Sequence, residues 1–195
     1  MSTLNKISQR LSENLSEGLR DLGLAQGFDS LTNAGTGAGK YLDNGTLGTE
    51  ESAKQTRRLL ESNRDKDREE GLHRILALMA KNHPVAQYFP LVTNCLSSTS
   101  LTVRSLVSIY ILRQAQLEPD LALMSVNMYQ KDLNDSNPAI RAMALRVLTG
   151  MNLESIAALV VSSLKRSSRD GNWYVRKMVA SCLYPVFRLA LPTLF

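Results

Sequence analysis

A glycine-rich segment near the N-terminus has residue types that could bind phosphate. It reads Gly35-Thr-Gly-Ala-Gly-Lys40. A phosphate loop needs a glycine, four residues, a second glycine, a lysine and then a serine or threonine, placed after a buried strand. This chain has Ala34 at the first position and Tyr41 at the last, and no apolar strand precedes the segment. Nucleotide binding through Gly35–Lys40 is therefore the least favoured interpretation.

Arginines and acids that recur at fixed intervals could form ion pairs between repeated units. The candidate ladder consists of Arg104, Asp135, Arg141, Asp170 and Arg176. Each aspartate lies six residues before an arginine, and Ser98 holds the matching place before Arg104. Because such pairs are partly exposed, each is expected to contribute only about 0–1 kcal/mol. The spacing favours a structural role for these arginines over direct contact with a ligand.

A second basic cluster could attract an anionic surface. Lys165, Arg166, Arg169 and Lys177 lie close together in the sequence, in a chain with a net charge of +5 and a pI of about 9.4. Clustered cations near an anionic leaflet add about 1 kcal/mol each. The cluster predicts weak, salt-sensitive contact with an anionic membrane or with a partner. No basic stripe interleaved with aromatics appears, so we expect no nucleic-acid partner.

Residues for catalysis or metal binding form no constellation in this sequence. Neither His73 nor His83 has ligand spacing to Cys95 or Cys182, and two isolated cysteines do not make a zinc site. Both cysteines lie in apolar runs, which is typical of buried, reduced thiols. We therefore expect no enzyme activity, no catalytic residue, no metal and no cofactor.

A sequence pattern that occurs three times predicts the helices that position these residues. Apolar residues recur at 0, +3, +4 and +7 with an arginine at +1, starting at Val103, Ile140 and Val175. The copies start 37 and 35 residues apart. This spacing places the apolar residues on one helix face, and one such unit cannot bury that face alone. The sequence therefore predicts an all-α fold, an α–α superhelix of the HEAT or armadillo-like solenoid type.

The helices of this solenoid are predicted to alternate in pairs. The first helices span 87–97, 118–133 and 153–166, and the second helices span 101–116, 138–150 and 173–188. An earlier helical unit is predicted to end at Pro84, and Asp67 is expected to cap its second helix. Pro185 and Pro192 are expected to interrupt the last helix.

The predicted domain boundary lies near residue 50. Residues 1–49 combine an amphipathic stretch over 3–22 with a glycine-rich linker, and we expect a flexible arm. Residues 50–195 hold the helical-hairpin repeats. No segment reaches 18 apolar residues, so no membrane-spanning helix is expected.

Several segments resemble the N-terminal trunk of β-adaptins, the large β subunits of heterotetrameric adaptor complexes. They are Ser52–Gln55, Leu106-Val107 with Tyr110, Pro119–Asn127, Asp135–Pro138, Ile140–Arg146 and Tyr174–Lys177. Residues 143–148, together with the turn 165–170, look most like the β subunit of the third adaptor complex. The family usually has proline before the Tyr174 motif, where this chain has Trp173, so the resemblance implies a different turn there.

The resemblance implies a non-catalytic subunit of a membrane coat that works in vesicle transport from the Golgi or endosomes to the lysosome or vacuole. It implies a second large chain, a medium chain and a small chain as partners, together with an ARF-type small GTPase and an anionic membrane. It implies a cytoplasmic protein that is peripheral on Golgi and endosomal membranes. A second interpretation is another α-solenoid scaffold, such as a nuclear-transport receptor, although such receptors have acidic inner surfaces and this chain is basic.

Overall fold

The computed structural model describes residues 49–190, apart from the side chains of residues 188–190. Over this range the chain forms α-helices and short 3₁₀-helices, with no β-strand among the described residues. The predicted all-α class is therefore confirmed. The amphipathic stretch 3–22, the segment Gly35–Lys40 and Pro192 lie outside the described residues.

The chain divides into two compact units, Met1–Pro84 and Val85–Phe195. The boundary follows Pro84, the residue at which the sequence predicts the end of a helical unit. The predicted division between residues 1–49 and 50–195 stays a prediction, because residues 1–48 lie outside the described part.

In the first unit, helix α1 (Glu50–Glu61) packs against helix α2 (Asp65–Ala80). Thr49 caps α1, since its Oγ1 accepts a hydrogen bond from the Ser52 backbone N–H at 3.3 Å. The two helices approach closely at Gly71, where an added Cβ would lie 3.1 Å from Leu60 Cδ2 and 3.2 Å from Leu59 Cβ. The missing side chain at Gly71 therefore lets α1 and α2 pack at short range.

The connection between these helices differs from the prediction. Helix α2 begins at Asp65 after Arg64, and Asp67 is a first-turn residue rather than the cap. The Asp67 carboxylate instead accepts hydrogen bonds from Ser62 Oγ at 2.7 Å and from Arg64 Nε at 2.8 Å. An acid within the first turn also suits the helix dipole, and Asp67 therefore secures the α1–α2 turn without capping α2.

The second unit contains seven α-helices among its described residues. They are α3 (Phe89–Asn94), α4 (Leu101–Leu117), α5 (Pro119–Leu123), α6 (Val126–Asp132), α7 (Pro138–Gly150), α8 (Ala157–Ser167) and α9 (Trp173–Ala190). Short 3₁₀-helices at Ala86–Tyr88 and Cys95–Ser97 flank α3, and a third at Glu154–Ile156 precedes α8. The predicted helix bounds agree with these to within a few residues, apart from the two differences described below.

The second helices of the pairs form a row. Helix α7 packs against α4 on one side and against α9 on the other, and it also contacts α6 and α8. Most of the repeated apolar positions are buried along this row, including Val103, Ile140 and Val175. The solenoid period predicted from these residues is therefore the period of the packing.

A buried polar contact fixes the start of the second unit to α4. The Tyr110 hydroxyl donates a hydrogen bond to the Val85 carbonyl oxygen at 2.9 Å and accepts one from Gln114 Nε2 at 3.2 Å. Burial raises the pKa of Tyr110 to about 12, so the phenol stays neutral and able to donate.

Two helices differ from their predicted form. The predicted helix 118–133 is broken at Met124 and Ser125, where the Ser125 hydroxyl donates to the Ala122 carbonyl at 2.7 Å and the backbone tightens to i→i−3 bonds. The expected interruption at Pro185 is wrong, because α9 continues through it to Ala190. Proline removes one backbone donor, and here that loss does not end the helix.

Candidate functional site

The candidate site is the row of turns that precede α4, α7 and α9. Asn137 caps α7, and its Oδ1 accepts from the Ala139 N–H at 2.9 Å. Asn172 caps α9 in the same way, and its Oδ1 accepts from the Tyr174 N–H at 2.9 Å. Trp173 occupies in α9 the position that Pro138 holds in α7. The expected difference from the family's turn stays a prediction.

The aspartates of these turns bind backbone within their own turn. Asp135 Oδ1 accepts from the Asn137 N–H at 2.8 Å, and Asp170 Oδ1 accepts from the Asn172 N–H at 2.8 Å. Ser98 Oγ does the same for the Ser100 N–H at 3.0 Å. The three turns therefore have the same local geometry, although the first uses a hydroxyl in place of a carboxylate.

Each repeated arginine reaches back to the carbonyl oxygen six residues before it. Arg104 Nε donates to the Ser98 carbonyl at 2.7 Å. Arg141 Nη1 donates to the Asp135 carbonyl at 2.9 Å, and Arg176 Nη1 donates to the Asp170 carbonyl at 2.8 Å. The six-residue spacing in the sequence therefore corresponds to a bond with backbone rather than to a bond with the aspartate side chain.

The carboxylate partner of each paired arginine comes from the following repeat. Arg104 Nη1 lies 2.7 Å from Asp132 Oδ2, and the two side chains are only 9% and 14% exposed. Burial raises the pKa of Asp132, although the Arg104 guanidinium opposes this rise. Sequence reasoning missed Asp132 because it lies at the end of α6, three residues before the aspartate that the six-residue spacing selects.

Arg141 and Asp170 form the second pair, with two parallel hydrogen bonds. Arg141 Nε donates to Asp170 Oδ2 at 2.9 Å, and Nη2 donates to Oδ1 at 2.8 Å. This bidentate geometry is the strong form of an arginine–carboxylate contact. Hydrogen bonds from Arg141 hold the pKa of Asp170 below its usual range. We call each such pair of an arginine and a carboxylate from the next repeat a rung.

Arg176 has no rung among the described residues. It is exposed, and its Nη1 makes the same backward bonds as Arg141, to the carbonyl oxygens of Asp170 and Gly171 at 2.8 and 3.0 Å. Within residues 49–190 no carboxylate forms an ion pair with it. Four of the five predicted ladder residues therefore contact one another, namely Asp135, Arg141, Asp170 and Arg176. Arg104 pairs with Asp132 instead, and Arg176 has no carboxylate partner in the part of the chain that the structure describes.

The predicted basic cluster spans the end of α8 and the start of α9. Lys165 and Arg166 lie in the last turn of α8, Arg169 lies in the turn that follows, and Lys177 lies in α9. All four side chains are exposed. Two of them also suit the negative end of the α8 dipole, so they stabilise the helix whatever else they bind.

Arg146 is a buried cation that the sequence analysis did not single out. It lies in α7 with 8% of its surface exposed, and burial lowers the pKa of its guanidinium. The same burial raises the pKa of the nearby Cys182 thiol. Cys95 and Cys182 are both buried, as the sequence predicts, and neither forms a disulfide within the described residues.

Other site classes find no support in the described part of the chain. No group of three or more His, Cys, Asp or Glu side chains there is arranged to hold a metal ion. Within the same residues, no helix is both long enough and apolar enough to cross a membrane.

Comparison with known proteins places this geometry in a family. Residues 49–193 match the family described as the adaptin N terminal region. The chain is 34% identical over 133 residues to the AP-3 complex subunit beta-1 of Homo sapiens and of Bos taurus, which is 68% of this chain and 12% of each relative. It is 33% identical over 124 residues to the AP-1 complex subunit beta-1 of Mus musculus, which is 64% of this chain and 13% of that relative.

The chain therefore corresponds to a small part of the length of these relatives. All three are β subunits, so the predicted resemblance to β-adaptins is confirmed. The AP-3 relatives agree with the predicted resemblance to the third adaptor complex, and the AP-1 relative is almost equally similar.

Proposed function

We propose that this chain, which belongs to the β-adaptin family, is a scaffold subunit of a membrane-coat adaptor complex in vesicle-mediated protein transport. The observation that carries the proposal is the family match over residues 49–193, which covers all the described helical repeats. The transport step that we propose runs from the Golgi or endosomes to the lysosome or vacuole. The protein acts there as a peripheral component on the cytoplasmic side of the membrane.

The scaffold role is non-catalytic. Many of the polar side chains that the repeats place together, among them Asp135, Asn137 and Asp170, form turns, caps and rungs, and each of these contacts stabilises the fold. An α-solenoid offers extended helix faces, and such surfaces suit the binding of other subunits. The partners that we propose are a second large chain, a medium chain and a small chain, of which the medium chain lies against the repeats.

Assembly is tested by co-expression of the tagged chain with a second large chain, a medium chain and a small chain of the AP-3 type. We expect all four to co-purify in a stable complex. Arg169→Gln is a matched surface control that should leave assembly intact, whereas Leu148→Asp should abolish it, because Leu148 is buried in α7. If the full-length human AP-3 β-1 subunit assembles under the same conditions and this chain does not, the proposal is wrong for this chain.

A membrane and an ARF-type small GTPase are the remaining proposed partners. The exposed cluster Lys165, Arg166, Arg169 and Lys177 supports weak electrostatic attraction to an anionic leaflet. Sedimentation with phosphatidylserine vesicles should show binding that falls as salt rises.

A matched pair of double variants separates this cluster from general basicity. Lys165→Glu with Arg166→Glu should reduce vesicle binding. Lys54→Glu with Arg58→Glu, which changes the net charge equally on the exposed surface of α1, should reduce it less. Equal loss in both double variants would show that net charge alone attracts the membrane.

A further inference from the structure

We propose that the Ser168 hydroxyl is a phosphorylation site for a serine/threonine kinase that recognises basic residues, and that its phosphate weakens the attraction of the basic cluster to an anionic leaflet. Ser168 lies in the turn between α8 and α9, at the C-terminal end of α8. The modification does not depend on the scaffold role. Its regulatory effect rests on the membrane attraction proposed above for the cluster Lys165, Arg166, Arg169 and Lys177.

The first argument is the charge pattern around Ser168. A kinase with an acidic substrate groove selects a serine by the cations two and three residues before it. Arg166 and Lys165 occupy these two positions, and Arg169 follows the serine directly. No other serine or threonine in the sequence has cations at both positions. The pattern therefore singles out one hydroxyl of this chain.

The second argument is the accessibility of that hydroxyl. The Ser168 side chain is exposed, and its Oγ donates a hydrogen bond to the Lys165 carbonyl oxygen at 2.8 Å. The adjacent Ser167 is buried, with 8% of its surface exposed. Of the two neighbouring serines, Ser168 is therefore the one that a kinase reaches from solvent.

The third argument concerns the backbone, because a kinase binds its substrate in an extended conformation. The Ser168 N–H donates to the Leu164 carbonyl at 2.9 Å, and the Arg169 N–H donates to the Arg166 carbonyl at 3.2 Å. These bonds close the end of α8, and helix ends open at a lower free energy than helix interiors. Lys165 and Arg166 are exposed, so they leave the helix without losing buried contacts.

The reaction transfers the γ-phosphoryl group of ATP, which the kinase binds, to Ser168. The Oγ–phosphorus bond forms as the bond between the γ-phosphorus and the leaving oxygen of ADP breaks, and the hydroxyl proton passes to the catalytic aspartate of the kinase. The phosphate carries a charge of about −1.5 to −2 at neutral pH. It therefore offsets about half of the four positive charges of the basic cluster.

The loss of positive charge is the main effect of this phosphate. Each cation near an anionic leaflet contributes about fivefold to binding, so we expect the phosphorylated chain to bind vesicles about thirtyfold more weakly at low salt. The phosphorylated oxygen no longer donates to the Lys165 carbonyl. A negative charge is also unfavourable at the C-terminal end of a helix, so the phosphate does not stabilise α8.

The site is tested on the full chain with ATP and the catalytic domains of cAMP-dependent protein kinase and of protein kinase C. A synthetic peptide of residues 162–173 is the positive control. Mass spectrometry should place one phosphate on Ser168, and Ser168→Ala should abolish it. The matched control Ser136→Ala changes another exposed serine of an inter-helix turn and should have no effect. A phosphate placed mainly elsewhere, or a peptide that reacts while the chain does not, would overturn the proposal, as would no reaction of either.

Two double variants test how the kinase recognises the site. Lys165→Gln with Arg166→Gln should lower kcat/KM for phosphorylation by about tenfold or more, because it removes the two cations that precede Ser168. Lys54→Gln with Arg58→Gln removes the same charge from the exposed surface of α1 and should change it little. Equal effects of the two double variants would contradict recognition by the basic cluster.

Sedimentation with phosphatidylserine vesicles tests the regulatory effect. The phosphorylated chain is compared with the unmodified chain, and Ser168→Ala treated with the same kinase should bind like the unmodified chain. Equal binding of the phosphorylated and unmodified forms would overturn the regulatory effect. No binding of the unmodified chain would refute the proposed membrane attraction and this effect with it, whereas the phosphate on Ser168 is decided separately by mass.

Discussion

Arg104 and Arg176 occupy the same position of the repeat at opposite ends of the row α4–α7–α9, and their surroundings differ. Arg104 is buried, it binds the Ser98 carbonyl, and its charge is matched by Asp132. Arg176 binds the equivalent carbonyl but is exposed and has no carboxylate among the described residues. The same residue type is therefore paired and buried at the first helix of the row, and exposed at the last helix that the structure describes. The neighbouring repeat, rather than the amino acid, decides which role it has.

The sharpest test of this comparison uses two leucines that are equivalent by the 35-residue period. Leu148→Ala should lower the free energy of unfolding by about 2–5 kcal/mol, because it leaves a cavity at a side chain that is 1% exposed. Leu183→Ala should change it by less than about 0.5 kcal/mol in the isolated chain, since Leu183 is 57% exposed. Chemical denaturation measures both. Equal losses would show that the Leu183 side chain is covered in the isolated chain.

Removing the rung between Arg104 and Asp132 should also lower the free energy of unfolding. Arg104→Met keeps the apolar stem and deletes the charge, so the Ser98 carbonyl loses its donor and the Asp132 carboxylate loses its counterion. We expect a loss of about 3 kcal/mol in the free energy of unfolding. The double variant Arg104→Met with Asp132→Asn should recover part of this loss, because it leaves no unpaired charge. A double variant no more stable than Arg104→Met alone would show that the pair contributes little.

Removing the rung between Arg141 and Asp170 should lower the free energy of unfolding by a smaller amount. The Arg141 and Asp170 side chains are 19% and 16% exposed, so water screens their attraction more than that between Arg104 and Asp132. We expect Arg141→Met to lower the free energy of unfolding by about 1 kcal/mol, and Arg176→Met to change it by less than about 0.5 kcal/mol. Thermal denaturation in low and high salt is the measurement. The comparison fails if Arg176→Met is as destabilising as Arg141→Met.

The two rungs should change the free energy of unfolding in opposite directions as the pH falls. The pKa of Asp170 is lowered in the folded chain, so its contribution to stability is present above about pH 4 and is lost as the pH falls through its folded pKa. The pKa of Asp132 is raised, so the folded chain binds that proton more readily and its contribution decreases as the pH rises above about 4. Asp170→Asn should therefore make the acid-induced loss of stability shallower, and Asp132→Asn should make it steeper.

The free energy of unfolding measured between pH 3 and pH 6, a range that spans the ordinary pKa of about 3.9, gives these slopes for the parent chain and both variants. Parallel slopes in all three proteins would contradict the opposite shifts of the two carboxylates. Lys165→Gln serves as a control, because it changes a surface charge without touching either rung.

Most of the repeat architecture could be predicted from the sequence, because the apolar spacing that starts at Val103, Ile140 and Val175 reports directly on a buried helix face. The partner of Arg104 could not. Asp132 lies at the end of α6, and only the packing of one repeat on the next brings it to Arg104. The six-residue spacing pointed to the correct turns but to the wrong atoms, since it marks backbone carbonyls.

Other errors have local causes. The break at Ser125 depends on a hydroxyl that bonds to the Ala122 carbonyl, and a serine in an apolar helix does not reveal that choice. Pro185 is a helix breaker by propensity, but the long α9 accommodates it. The predicted cap, Asp67, lies three residues after the observed cap, Arg64, and assignments at a helix terminus commonly differ by a residue or two.

The two directions in which Arg141 binds have a consequence for how repeats of this kind diverge. Its backward bonds go to carbonyl oxygens, which every amino acid supplies, so the turn at Asp135 tolerates substitution as long as its backbone keeps its course. Ser98 already stands at that position in the preceding repeat. Its forward bonds need a carboxylate at one place in the neighbour. The backward bonds of the arginine therefore place no demand on the side chain six residues before it, whereas its forward bonds require a carboxylate at one position of the neighbouring repeat.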